Sequence, residues 1–216
     1  MAGDAPMRVA GTAVVLRDSA SGVEALLLRR PASGSFPGAW VFPGGRVDPV
    51  DSRNAPDEAE AARRAAVRET HEEAGIRIGE LALLSRWTPP PETPVKFRTW
   101  FFLARDPGDA VVINPGEIEE AAWLTIERIF DGHVGGLITL VPPTWVTLHG
   151  LRAARTVDEA FDALGEPEHF ATRVTSVDGG SLATWAGDEE YPDAPGVAGA
   201  RHRLLMGALP WTYERR

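Results

Sequence analysis

The sequence predicts an α+β protein, and three observations predict it. Two apolar stretches, residues 9–16 and 23–28, flank the turn-rich run Asp18-Ser19-Ala20-Ser21-Gly22, the pattern of a β-hairpin. Residues 57–74 contain neither Gly nor Pro, are rich in Ala, Glu and Arg, and stop at Gly75, which predicts a helix closed by a glycine C-cap. Residues 81–87 and 95–104 then read as two further strands, separated by Pro89-Pro90-Pro91.

The other elements follow in order. A loop over residues 32–39 leads to the short strand Trp40-Val41-Phe42, which runs into Pro43-Gly44-Gly45. Paired glycines there let the backbone turn sharply and approach a ligand closely. Residues 48–56 are polar and proline-bearing and read as a loop. Downstream, residues 120–124 read as a strand, 126–131 as a short helix, and 143–154 and 157–164 as a helical pair. Past Gly165, strand-like pieces at 171–177 and 182–185 sit in a Gly/Pro/Asp-rich background. The reading is therefore an N-terminal tail over 1–7, a main domain over 8–165 and a C-terminal extension over 166–216 packed on that domain.

Composition narrows the function classes. The chain has 216 residues, 44% hydrophobic and 25% charged, room for one compact domain with an appendage. With 22 Lys plus Arg against 31 Asp plus Glu, the formal charge of -9 argues against nucleic acid as a partner. The absence of cysteine excludes disulfides, thiolate metal sites and cysteine nucleophiles together. The start of the chain lacks the apolar run of a secretory signal, and the longest apolar stretches, such as 100–104, fall far short of a membrane span. The expectation is a cytoplasmic protein with no membrane partner. Lys96 is the single lysine, so arginine stands wherever other sequences use either residue, and an isolated Arg says little about phosphate binding.

The chemistry concentrates in Arg68-Glu69-Thr70-His71-Glu72-Glu73-Ala74-Gly75-Ile76. At about 100° per residue, Glu69, Glu72 and Glu73 share one helix face at i, i+3, i+4 spacing. They sit near a helix C-terminus, where the dipole disfavours negative charge, and the like-charged pair Glu69 and Glu73 costs about 0.2–0.5 kcal/mol. A cation should compensate, and an all-oxygen site suits hard Mg²⁺ or Mn²⁺. The stripe Ala59, Ala62, Ala66, Thr70, Ala74 lies beside this sector, so the carboxylates border a packed face. On charge pattern alone, a solvated helix with exposed pairs such as Arg68 with Glu72 competes with this reading. His71 falls away from the sector, the five histidines show no paired ligand spacing, and neither a serine elbow nor a Walker loop is present.

The order of glycine turn, loop, helix, carboxylate cluster and glycine stop resembles the Nudix hydrolase family. Its box reads Gly, five residues, Glu, seven residues, then Arg-Glu-U-x-Glu-Glu-x-Gly-U, with U bulky and apolar. Glu60, seven intervening residues and residues 68–76 fit the second part. Fourteen residues lie between Gly45 and Glu60 where the box has five, and Thr70 stands at a U position, a change expected to affect packing only. The resemblance implies a Nudix-type α/β/α sandwich with a mixed central sheet, followed by C-terminal helical and extended segments, and hydrolysis of a nucleoside diphosphate linked to another group, with Mg²⁺ or Mn²⁺ as cofactor. It makes Glu69, Glu72 and Glu73 metal ligands, completed by the carbonyl of Gly44, and has Arg68 orient Glu69 through a charged hydrogen bond. The catalytic set is then Glu72, Glu69 and Arg68, with a general base from the loop before Trp123, where Glu117, Glu120 and Glu119 are all open. Arg29, Arg30, Gly44, Gly45 and Arg98 are the substrate-binding candidates, and the partner is a small nucleoside diphosphate molecule.

The resemblance reaches past the box. Trp87-Thr88-Pro89, Phe97-Arg98-Thr99-Trp100-Phe101-Phe102, the 117–123 loop and Pro142-Pro143-Thr144-Trp145 with Leu148 are similar to the CoA-diphosphatase branch, which also has an enlarged box loop. Residues 26–45 keep the spacing of a CoA-cleaving signature, with Arg29 and Gly38 in place and Gly34 where a second Arg stands. This implies cleavage of CoA or acyl-CoA to 3′,5′-ADP and phosphopantetheine or its acylated form. The alternatives are an ADP-ribose or NADH pyrophosphatase and a non-catalytic ligand-sensing module, although such modules usually lose box carboxylates and all are present here. Dimers are common in the family, which leaves a homodimer open. Trp185, Trp211 and Tyr213 in the extension read as core or interface packing.

Overall fold

The structure, a computed structural model, describes residues 7–34 and 36–216. Most of the expected N-terminal tail, residues 1–6, lies outside the described residues. The elements, in chain order, are β1 (Arg8–Ser19), β2 (Gly22–Arg29), β3 (Trp40–Val41), β4 (Gly44–Arg46), α1 (Pro49–Ser52), α2 (Glu58–Ala74), β5 (Leu81–Thr88), β6 (Phe97–Arg105), β7 (Glu120–Thr125), α3 (Ile126–Val134), α4 (Pro142–Leu151), α5 (Val157–Asp162), β8 (Glu168–Ala171), β9 (Arg173–Val177), β10 (Gly180–Thr184), β11 (His202–Gly207) and β12 (Thr212–Arg215).

The main sheet is mixed, in the order β3-β2-β1-β6-β5-β8, with β4 pairing β1 and β7 pairing β2. Its centre is the parallel pair β1 and β6, registered from Arg8 against Phe97 to Leu16 against Arg105. Both strands are covered on both faces, which explains their unbroken apolar runs. Side chains alternate across the sheet: Ala13, Val15, Leu26, Leu28 and Phe102 pack under α2 with Ala62 and Ala66. Val14, Leu16, Leu27 and Leu103 pack on the other side with Ile129, Leu148, Val157 and Trp185.

The helix α2 lies close to the sheet because both surfaces are small. A Cβ on Gly11 in β1 would stand 1.8 Å from the carbonyl oxygen of Ala62, so the alanine stripe rests on a glycine. Asp57 caps the helix start by accepting the Glu60 N–H at 2.8 Å. Gly75 ends it at φ 73°, donating its N–H to the His71 carbonyl at 2.9 Å. Thr70 is fully buried and donates its hydroxyl to the Ala66 carbonyl at 2.7 Å, a packing role at the position where the box has an apolar residue.

Three expectations change. Residues 48–56, read as a loop, contain the one-turn helix α1: Pro49 supplies the fixed φ of a first helical residue, and Asp51 accepts the N–H of Asp48 at 2.8 Å. The helix expected to 154 stops at Leu151, where the chain tightens into turns, with Arg152 donating to His149 and Ala154 to Leu151. The strand expected over 171–177 is two strands, because Thr172 is where the chain changes sheets. β8 runs parallel to β5 in the main sheet, whereas β9 begins a second, antiparallel sheet in the order β12-β11-β10-β9. The Thr172 hydroxyl accepts from Trp185 Nε1 at 3.0 Å, and Trp87 stacks on Phe170 with ring centroids 3.9 Å apart. The extension thus shares a core with the main sheet, and Trp185 is fully buried in it.

Candidate active site

Docking of α2 against β1 sets its last turns beside β4. Glu73 is only 6% exposed, and its Oε2 accepts the N–H of Gly44 at 2.9 Å. Gly44 has φ 152°, and a Cβ there would stand 2.4 Å from the Gly11 carbonyl oxygen. A Cβ on Gly45 would stand 2.4 Å from Glu69 Cδ. Both glycines are therefore required for the turn to touch the carboxylates.

These groups wall a cleft of about 450 Å³. Gly44, Gly45, Glu69 and Glu73 form one side, Arg30 and Arg46 contribute positive charge, and Glu117 closes it. Burial pushes the Glu73 carboxyl up to about 7 against the help of the Gly44 N–H, and the charges of Glu69 and Glu117 push the same way while Arg30 opposes them. Glu69 is raised too, mainly by burial, with Arg68 pulling it back and Glu72 and Glu117 adding repulsion. A larger cavity of about 620 Å³, walled by Trp87, Val146, Phe170 and Tyr213, lies elsewhere, and none of the α2 carboxylates borders it.

Arg68 ties the carboxylates together. Its Nη1 lies 2.9 Å from Glu69 Oε1 and 2.7 Å from Glu72 Oε2. Its Nη2 and Nε reach Asp51 at 2.9 and 3.3 Å. These contacts raise the already high pKa of Arg68, the hydrogen bonds to Asp51 foremost. The expected convergence of three glutamates is thus only partly present. Glu69 and Glu73 meet in the cleft, while Glu72 is half exposed and drawn onto Arg68. Among the described residues no group of three or more His, Asp or Glu is already assembled as a metal cage. The cleft nevertheless fits a hard divalent cation: three carboxylates line it against two guanidinium groups, its available donors are oxygens, and two of those carboxylates are held above their ordinary pKa, chiefly by burial.

The remaining candidates separate. Glu117 reaches the cleft. Glu119 and Glu120 do not border it; each lies 3.4 Å from the Arg29 guanidinium, and Glu120 is registered opposite Arg29 between β7 and β2. Arg29 forms ion pairs with both, though its buried Nε has no hydrogen-bond partner, and it does not border the cleft, whereas Arg30 does. Arg98, expected at the substrate, lies at the other end of α2 and donates to Glu58 at 2.9 Å, so it is not at the cleft. Glu60 binds Arg63 and Arg64 at 2.7 and 2.9 Å, and those hydrogen bonds, Arg63 first, hold it down at about 2. Sequence reasoning missed Arg46 and Asp51. The signal for Asp51 was present: Asp48-Pro49 followed by Asp51 is a helix-start pattern with an acid at the third helical position.

A family model described as NUDIX domain matches residues 7–142 of the chain. The chain is similar to the NAD-capped RNA hydrolase NudC of Deinococcus radiodurans, at 29% identity over 167 residues, covering 76% of this chain and 50% of NudC. It therefore spans about half the length of that relative. Among solved structures, a NUDIX hydrolase from Alicyclobacillus acidocaldarius matches with TM-score 0.67 and 25% identity over 74% of this chain and 97% of its own. The NUDIX domain of Shewanella oneidensis NrtR, solved in complex with ADP ribose, matches in fold with TM-score 0.55 and 15% identity, over 69% of this chain and 88% of its own.

Proposed function

The chain belongs to the NUDIX domain family, and from that membership and the cleft we infer that it hydrolyses the diphosphate linkage of a nucleoside diphosphate derivative with Mg²⁺ or Mn²⁺ as cofactor. One observation carries the reading: the Glu69 and Glu73 carboxylates share their cleft with Arg30, whose buried Nε has no hydrogen-bond partner. An acidic half suits a cation, and the Arg30 guanidinium beside it suits a phosphoryl oxygen. Glu69, Glu73 and, once turned from Arg68, Glu72 would hold the ion, with the Gly44 carbonyl beside them. When bound, the ion supplies charge neutralisation and an activated water.

The chain's own groups do the rest. Arg30 and Arg46 anchor phosphoryl oxygens, and the glycine turn lets the diphosphate approach the backbone. Glu117, the loop carboxylate that borders the cleft, takes the proton of the attacking water. The water oxygen bonds to one phosphorus, and the bridging P–O bond of the diphosphate breaks. The catalytic unit is residues 8–165, with 166–216 packed on it as an extension whose first strand, β8, joins the main sheet and whose later strands form the second sheet.

For the substrate, we take CoA or acyl-CoA first, on the spacing of Arg29, Gly38 and Phe42-Pro43-Gly44-Gly45. A dinucleotide of the NAD type is the second reading, favoured by the similarity to NudC. The test is incubation of the purified chain with CoA, acetyl-CoA, NADH and ADP-ribose in Mg²⁺ or Mn²⁺, with separation of products. The CoA reading expects 3′,5′-ADP and phosphopantetheine; no phosphopantetheine, with AMP released from NADH, selects the second. Glu72→Gln should lower turnover by about 10³-fold while the protein stays folded. A sensing module would have no turnover to lose.

A further inference from the structure

The segment between β4 and α2 contributes no wall to the cleft, yet it places one buried carboxylate behind it. Asp51, 4% exposed, is fixed in α1 by accepting the Asp48 N–H at 2.8 Å. Its remaining capacity goes to Arg68 through Nη2 and Nε at 2.9 and 3.3 Å. The Arg46 carbonyl takes a further Nη2 hydrogen at 3.0 Å. One edge of the guanidinium is thereby fastened to the β4–α2 segment, and only Nη1 is left to touch Glu69 and Glu72. Fork-to-fork pairing fixes the plane of an arginine as a single contact cannot. Freed from it, a guanidinium beside two glutamates swings onto both of them and competes with any cation they would bind.

We propose that Asp51 is a positioning residue: by holding Arg68 along one edge, it limits that guanidinium to a single nitrogen against Glu69 and Glu72 and leaves their other oxygens free for a divalent cation. The inference rests on the hydrolase reading above. It gives residues 47–57 a function beyond joining a strand to a helix, since they buttress the carboxylates from behind.

The experiment measures Mn²⁺ affinity of the full chain by electron paramagnetic resonance, together with thermal unfolding. Asp51→Asn keeps the shape but repels the fork, and should weaken Mn²⁺ binding by about 10–100-fold, the usual cost of losing a group that orients a ligand. Asp51→Glu, which keeps the carboxylate, should recover most of that loss. Arg64→Ala is the structural control. Arg64 Nη1 donates to the Arg53 carbonyl at 2.8 Å and to the Asp51 carbonyl at 3.4 Å, so this change loosens the backbone of the same segment while leaving the Asp51 carboxylate and its fork to Arg68 in place, and should lower the melting temperature with Mn²⁺ affinity nearly unchanged. Should Asp51→Asn not fold, Arg68→Lys serves instead, because an ammonium cannot span Asp51 and the glutamates together, and it should weaken Mn²⁺ by a similar factor. Wild-type affinity in folded Asp51→Asn or, in its stead, Arg68→Lys, or an equal loss in Arg64→Ala, overturns the proposal. A wild-type chain that binds no Mn²⁺ overturns the hydrolase reading and the proposal with it.

Discussion

The two ends of α2 carry the same residue types and differ in their charge balance. At the start, each glutamate has cationic or hydrogen-bonding partners of its own: Glu60 binds Arg63 and Arg64, and Glu58 accepts from Arg98 and, at 2.8 Å, from Trp100 Nε1. The helix dipole also favours negative charge there. At the far end, Glu69 and Glu72 share Arg68 with Asp51, Glu73 is buried, and the dipole is adverse. The consequence is a carboxyl held at about 2 at one end and one pushed up to about 7 at the other. Balanced charge makes a structural helix start, and surplus negative charge facing a cleft makes a place for an added cation.

The sharpest way to break the comparison is Glu73→Gln, expected to lower kcat/KM by about 10³-fold with the fold retained, since several kcal/mol of charge stabilisation depend on the cation. Next comes the pH dependence of the metal-free protein. Glu73 moves from an ordinary 4.5 to about 7 on folding, so its protonated form favours the native state. That contribution is full below about pH 4.5 and lost as the pH rises through about 7, at most about 3 kcal/mol. Melting curves between pH 5 and 8 should fall accordingly, and either Mn²⁺ or Glu73→Gln should flatten them.

Smaller effects belong to the balanced end. Glu60, lowered from 4.5 to about 2, stabilises above pH 4.5 and loses that contribution as the pH falls through 2. Glu60→Gln should cost less than about 1 kcal/mol in denaturant unfolding and leave turnover within about twofold. Arg98→Met should change even less, a few tenths of a kcal/mol in stability with kcat/KM unaltered. A collapse of turnover in either variant would erase the distinction between the ends.

Periodicity and glycine placement made the hairpin, the α2 helix, the Gly44-Gly45 turn and the carboxylate face legible, because each is a local consequence of local residues. What escaped depended on distance. For Glu72 helical spacing offered two places, the carboxylate cluster and the i, i+4 pair with Arg68, and only the fold shows that the pair is the one formed. Glu119 and Glu120 were indistinguishable from Glu117 until the β2–β7 register set Arg29 opposite Glu120. Strands β11 and β12 carry weak patterns because their partners are each other and β10 rather than the main sheet.

The central claim is that the crowded end of α2 exists to hold a divalent cation, and a crystal soaked in Mn²⁺ tests it most directly through the anomalous signal of the ion. The account predicts a peak in the Gly44-Gly45 cleft about 2.1 Å from oxygens of Glu69 and Glu73, with Glu72 turned from Arg68 toward it. A cleft without such a peak, its glutamates keeping the hydrogen bonds to Gly44 and Arg68, would contradict it.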